Sequence, residues 1–403
     1  MWWYEWLLWH VWAVETMASD FIWHLLYNTP FLSAKITTNQ LPKNALIKAL
    51  PPAVQRFIAR FFVTRAFVWL ISIAFTLFVG VSSFWLLMAL WVHKPFGELG
   101  TQVFMVFWAC LAMSLTGFFI TRTIFRRRTD LAVYLVCFGV GLGWYFGMDA
   151  KNDRIWHDEV AKIIQYEQQG DMVTLHNVRN FRWYDKDKYD VNWETRQYNL
   201  QELETFELII SDWGLDKIVH TMASFGFKNG EKLSFSIEIR KESHESFSAI
   251  GGFFRQFELG LVVGDEKDLI YSRTNVRGED VYIYPVDLSK ESVRELFLLY
   301  LQKGESLNHE ARWYNTLISN CSTLIFDMMA QIEPIPIDYR ALLAGLLPEY
   351  LLDEKAIDTR YTADEWRAMA HANPYVGHLI KTDMDSDKFS RLIKQGLPTQ
   401  GER

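Results

Sequence analysis

The sequence predicts an α+β domain carried on a helical membrane anchor of three transmembrane helices. Three observations predict it. Uncharged apolar segments occupy much of residues 66–150, the balance of charge reverses after them, and the remainder mixes short β-like runs with helical spacing. Residues 1–150 carry 11 Lys and Arg against 6 Asp and Glu, whereas residues 151–403 carry 30 against 42. A basic membrane part is thus joined to an acidic soluble part, and the acidity of the larger part argues against a nucleic-acid partner.

The anchor segments are Ala66 to Val92, Leu99 to Thr121 and Leu131 to Met148. Each is close to or beyond the roughly 20 apolar residues that a bilayer core requires. The third is the shortest and holds four glycines. Its support is topological: Arg122, Arg126, Arg127 and Arg128 fill the link before it, and Lys43, Lys48, Arg56, Arg60 and Arg65 precede the first segment. Both basic clusters belong on the cytoplasmic side, which leaves the chain from residue 150 onward outside. The first 30 residues mix six tryptophans with Glu5, Glu15 and Asp20 and lack the basic start and small-residue cleavage site of a signal peptide. They read as an interfacial helix at the headgroup level.

In the soluble part, Met172–Val178, Leu208–Ile210, Phe257–Val263 and Val281–Tyr284 read as strands. Lys217–Phe227 and Leu233–Ile239 form the clearest hairpin, turning at Asn229-Gly230. From Ser289 to Gln302 the spacing becomes helical, with Val293, Leu296, Phe297, Tyr300 and Leu301 on one face. A further helix starts at Cys321 and stops before Pro334-Ile335-Pro336. The expected organisation is an N-terminal segment over 1–65, an anchor over 66–150, a catalytic domain over 151–350 and a helical extension over 351–403.

Three cysteines suit neither a disulfide framework nor a zinc site, and Cys110 and Cys137 lie in apolar segments. Cys321 differs. It follows the turn-forming Asn320 and precedes Leu324-Ile325-Phe326, which places it at a helix N-terminus where unpaired N–H groups and the dipole favour thiolate. A buried core cysteine is the plainer alternative. The hairpin offers it a base. Aligning the apolar face Val219, Thr221, Ala223, Phe225 and Phe227 with Leu233, Phe235, Ile237 and Ile239 requires an odd-length loop. In that register His220 shares a face with Ser236, Glu238 and Arg240, and Glu238 or Ser236 can orient the imidazole. His176, His244, His309 and His371 show no metal-site spacing, and no cofactor is expected.

His220-Thr221-Met222-Ala223-Ser224-Phe225-Gly226-Phe227, Ser236-Ile237-Glu238-Ile239-Arg240 and Tyr314-Asn315-Thr316 through Asn320-Cys321-Ser322-Thr323 resemble the signatures of the Lnb-type periplasmic domain. That family is named for bacterial lipoprotein N-acyltransferases. Arg179, Arg273 and Arg277 also resemble family positions, and the likeness covers roughly residues 155–350. The order of His before Cys resembles a circularly permuted papain-like or NlpC-like arrangement. The resemblance implies a periplasmic domain on the bacterial inner (cytoplasmic) membrane. It also implies a Cys–His acyltransferase or thiol hydrolase whose partner is a membrane lipid or lipoprotein ester. A cysteine peptidase or amidase on cell-wall peptide is the rival enzyme, and a non-catalytic membrane-anchored binding module is the rival from another class. Cys321 is then the nucleophile, His220 the base, and the Cys321 N–H and Asn315 the oxyanion donors. Arg273, Arg277 and Tyr314 are substrate-binding candidates, with a structural pairing of the arginines to carboxylates as the alternative. Phe253, Phe254 and Phe257 suggest either an acyl-binding lip or ordinary core.

Overall fold

The computed structural model describes residues 52–124, 126–214, 217–336, 338–380 and 384–398. The tryptophan-rich first 30 residues, expected to lie at the headgroup level, fall outside the described residues. The chain divides into two units, residues 1–79 and 80–403, with the boundary inside helix α1 (Pro52–His93). In the first unit Val63, Phe67, Trp69 and Leu70 expose apolar side chains. There Ser72 and Thr76 return their hydroxyls to the carbonyls of Val68 and Ser72, each at 2.8 Å, so these two groups are satisfied within the helix.

The second unit begins with the end of α1, followed by α2 (Gly97–Thr121) and α3 (Arg127–Phe146). Together α1 to α3 contain three helices long and apolar enough to cross a membrane. Glycine in the third has a packing reason. A Cβ on Gly141 would sit 2.9 Å from the Leu86 side chain, so this residue lets α3 approach α1 closely. Ser83 Oγ and the buried Tyr134 hydroxyl hydrogen-bond at 2.9 Å between the same helices.

Beyond the helices, the described residues form an eight-stranded sheet. Its strands are β1 (Gln165–Gln169), β2 (Met172–Arg179), β5 (Trp193–Asn199), β6 (Leu203–Asp212), β7 (His220–Phe227), β8 (Lys232–Arg240), β9 (Glu258–Gly264) and β10 (Asp280–Val286). The order is β1-β2-β9-β8-β7-β6-β10, with β5 also on β2, and the pairing is antiparallel except for β2 with β9. Strands β3 (Arg182–Asp185) and β4 (Lys188–Asp190) make a separate hairpin. The polar strands β1, β3, β4 and β5 are additions to the sequence reading: largely exposed, they show no clean alternation of apolar residues.

The central hairpin takes the predicted apolar-to-apolar register. Ala223 pairs with Phe235, Phe225 with Leu233 and Met222 with Ser236. Its loop, Lys228-Asn229-Gly230, has three residues, closed by Gly230 N–H to Phe227 O at 2.9 Å with Gly230 at φ +93°. Glycine is required there because a side chain strains that backbone.

Both faces of the sheet are covered. Helix α5 (Lys290–His309), capped by Ser289, lays Val293, Leu296, Phe297, Tyr300 and Leu301 on the face of Phe225 and Phe235. Phe225 and Phe297 meet edge to face at 5.2 Å. Helix α6 (Cys321–Met329) packs on the same side. Against the other face lie α4 (Glu266–Tyr271) and a π-helical turn, Ser272–Arg277. After α7 (Leu347–Asp353) and α8 (Ala363–Ala370), helices α9 (Asn373–Val376) and α10 (Ser386–Leu392) complete that second layer. Ala372, Val376, Phe389 and Ile393 are buried there with Met222, Ile209 and Ile283, so residues beyond 351 close the core of the domain.

Candidate active site

Asn320 positions the thiol. In extended backbone just before α6, its side-chain oxygen accepts the N–H groups of Ser322 and Thr323, each at 2.9 Å. Thr323 Oγ1 in return accepts the Asn320 N–H at 3.0 Å, completing a capping box. Cys321 therefore occupies the first helical position, where its own N–H lies outside the box and the helix dipole favours an anion. The side chain is buried.

The β7–β8 register brings the rest to it. His220 Nε2 lies 2.8 Å from Ser236 Oγ and 3.4 Å from Glu238 Oε1, and Ser236 donates to Glu238 Oε1 at 2.6 Å. His220 also stands close enough to Cys321 for the charge of each to act on the other. Sequence spacing left Ser236 and Glu238 as alternatives; the geometry uses both in series. Thr221 contributes as well: its backbone and side chain both act to lower the Cys321 thiol. Its hydroxyl also meets Ser322 Oγ at 3.1 Å, and Ser322 Oγ is 3.9 Å from Sγ.

Electrostatics make the dyad an ion pair. Burial pushes the Cys321 thiol up, but the adjacent His220 charge and the hydrogen bonds from His220 and Thr221 outweigh it and bring the thiol down to about 6. Burial and the Arg273 charge depress His220, but Glu238 and the Cys321 thiolate raise it to about 9. Burial likewise opposes ionisation of Glu238, yet His220 and Arg273 hold its carboxyl well below the usual carboxylate range. At neutral pH the resting state is thiolate beside imidazolium, backed by a carboxylate.

Arg273 is placed differently from the sequence reading. Its guanidinium is buried, donating to Glu238 Oε1 at 2.6 Å and to Glu279 Oε2 at 3.1 Å, so it holds the orienting carboxylate and has no open face for a headgroup. Arg277 bonds Glu159 and lies near Glu279. The structural alternative applies to Arg273, whose buried charge demands partners, whereas Arg277 is exposed and meets its carboxylates at the surface. Asn315 is held by the turn before the helix. Its side-chain oxygen accepts the Leu317 and Ile318 N–H groups, and its backbone pairs with Ser319, so it staples the turn before Asn320. Among the described residues no hydrogen bond joins it to Cys321. Arg240 shares the His220 face but turns away to Val160 O, Ala161 O and the face of Trp156. Arg179 grips the buried Asp268 with both oxygens at 2.9 Å, which explains it as a structural residue.

Burial and the Cys321 and Glu238 charges raise the Tyr314 hydroxyl above its ordinary range. Sequence reasoning placed Tyr300 only in the core. It is fully buried, feels the Cys321 charge, and its hydroxyl finds no hydrogen-bond partner among the described residues. A phenol on an apolar helix face was the signal available for it. Phe257 is core, Phe254 is packed on Trp85, and Phe253 is exposed. Beside the dyad, a cavity of about 410 Å³ is lined by Thr221, Ser322, Ile325, Phe326, Met329 and Leu351 among others. Two of those residues directly follow His220 and Cys321 in the chain.

Residues 189–345 match the family model of the Lnb N-terminal periplasmic domain. The match holds every dyad and relay residue from His220 to Cys321 and begins after Arg179. No curated protein and no solved structure matches the chain.

Proposed function

From a match to the Lnb periplasmic domain, we propose that this protein is a membrane-anchored extracytoplasmic cysteine acyltransferase acting on a lipid or lipoprotein ester. Its three apolar helices cross the bacterial cytoplasmic membrane with the arginine-rich link inside. The observation that carries the reading is Cys321 at a capped helix start beside His220, which is backed in turn by Ser236, Glu238 and Arg273. The order His220 then Cys321 is why we read the domain as a permuted papain-like one.

The Cys321 thiolate attacks the ester carbonyl carbon, forming the C–S bond while the carbonyl electrons move to oxygen. The Cys321 N–H, at the positive end of α6, is placed to receive that oxyanion. Collapse breaks the ester C–O bond, and the His220 imidazolium gives its proton to the departing alkoxide. An amine then attacks the thioester, neutral His220 takes its proton, the C–N bond forms and the thiolate leaves. Ser236 and Glu238 hold the imidazole in one orientation through both proton transfers, and Arg273 keeps Glu238 ionised and in place. The apolar cavity beyond Thr221 and Ser322 is within the ~300–1,000 Å³ of ordinary ligand sites and would seat the acyl chain.

Mass spectrometry of lipoprotein N-termini and envelope muropeptides tests this, comparing a deletion strain with strains carrying Cys321→Ala or His220→Ala. Altered lipoprotein acylation, lost equally in both variants, is expected. Unchanged lipoproteins with altered stem peptides would instead establish the amidase reading, and full function in stable variants would establish a binding module.

A further inference from the structure

We infer that the loops flanking Cys321 form an apolar lip inserted in the outer leaflet, through which the site takes its substrate sideways from the bilayer. The inference rests on the three helices being membrane spans and on a lipid being the substrate.

Two loops are involved, residues 243–256 and 314–319. The first is attached to the outer ends of the helices. The Phe254 carbonyl lies 2.5 Å from Nε2 of His93, the last residue of α1, and its ring is 6.2 Å from Trp85. The Arg255 guanidinium stacks at 5.2 Å on Tyr145 and at 4.9 Å on Phe146, the last residue of α3. The second loop is attached twice. Trp313 Nε1, just before it, donates to Met148 O at 3.2 Å, and Thr316 N–H donates to Gly252 O at 3.1 Å. The pair packs closely: a Cβ on Gly252 would lie 2.5 Å from Thr316 Oγ1. The chain that leaves this junction reaches Cys321 five residues after Thr316.

Both loops present large apolar side chains, the first beside the exposed His244 and Ser246. Ile318 is 75 % exposed, Phe247 65 % and Leu317 53 %, and Ile250 and Phe253 are exposed too. The 315–319 stretch has no charged residue. Five such side chains on two linked loops, a few residues from helix ends that lie at the bilayer surface, would be costly in water. In the headgroup and upper acyl region they gain the transfer energy that holds interfacial segments in place. The occupant is therefore lipid, and the lip shortens the path from an ester at the glycerol level to the Cys321 thiolate.

The test uses the full chain in phosphatidylethanolamine and phosphatidylglycerol vesicles. A spin label is placed at Ile318→Cys, or at Phe247→Cys, with Cys110, Cys137 and Cys321 replaced by Ala. The expected result is collision with dissolved oxygen and protection from an aqueous nickel chelate at both positions. Free access of the chelate would overturn the lip. In the otherwise native chain, Leu317→Asp with Ile318→Asp should slow acyl transfer from vesicle lipid by about tenfold or more. Alkylation of Cys321 should stay at its normal rate, showing an intact dyad; undiminished transfer would also overturn the proposal. Failure of the acyltransferase reading looks different: labels stay immersed, but Cys321→Ala leaves lipid acylation in cells unchanged.

Discussion

The thiol of Cys321 is governed by its neighbours more than by its burial, and its titration exposes that balance. Alkylation of Cys321 should rise with pH to a plateau with a midpoint of about 6, set by the His220 charge and Thr221 bonds. In His220→Ala the midpoint should move well upward, because burial is then opposed only by Thr221 and the helix dipole. Acyl transfer should trace a bell. The acid limb falls near 6 as the thiolate protonates, and the alkaline limb near 9 as His220 loses the proton it must give the leaving group. Removing single relay residues separates orientation from charge. Ser236→Ala cuts the direct bond to Nε2 and should lower kcat about 10- to 100-fold with little change in KM. Arg273→Gln leaves Glu238 with His220 and Ser236 and Glu279 with Ser211 and Arg277, and should destabilise the fold by about 1–3 kcal/mol, read by denaturant unfolding.

Elements differ in how much of this was legible beforehand. The hairpin was legible because its alternation is clean and one face is buried: matching Ala223 with Phe235 demanded an odd loop, and Lys228-Asn229-Gly230 supplies it. From that register alone His220, Ser236 and Glu238 fall on one face. The Cys321 helix start was legible from Asn320, whose cap needs only local sequence. Arg273 was not. It sits on a π-helical turn, and its partner Glu238 is brought from β8, 35 residues away, by topology. An isolated arginine near a presumed lipid site invites a headgroup; only the fold shows its charge already matched. Asn315 is fixed at shorter range, since its amide oxygen closes a local turn. The cap can be tested separately from the dyad. Asn320→Ala should cost about 1 kcal/mol of stability. It should also shift the Cys321 alkylation midpoint upward as the helix start frays, while His220 contacts remain.

At the scale of the molecule, the least expected device is how the last stretch of chain is fastened beneath the sheet. Lys394, just past α10, is mostly enclosed, with its Nζ 2.6 Å from Glu207 on β6 and 2.8 Å from Glu266 on α4. Ser224 of β7 donates to the same Glu266 at 2.6 Å, four residues from His220. One ammonium thus ties the C-terminal layer to the strands that carry the site. Burial alone would raise the Glu207 carboxyl; Lys394 and Lys232 hold it lowered, and the two glutamates hold Lys394 raised. The signs follow. Glu207 contributes stability above its unfolded value and loses it as acid protonates it, whereas Lys394 contributes below its unfolded value and loses it in strong alkali. The native protein should therefore melt at nearly the same temperature at pH 5 and pH 8 as far as this cluster is concerned. Lys394→Met reverses the situation, because two buried carboxylates then face one another with only Lys232, 3.3 Å from Glu207, to offset them. The variant should lose about 3–5 kcal/mol at pH 8 and recover part of it at pH 5, where a carboxyl protonates. Thermal melts of the full chain in detergent at the two pH values check this. An equal loss at both would mean that Lys394 acts through packing of its stem, and that the C-terminal layer is held by Val376, Phe389 and Ile393 alone.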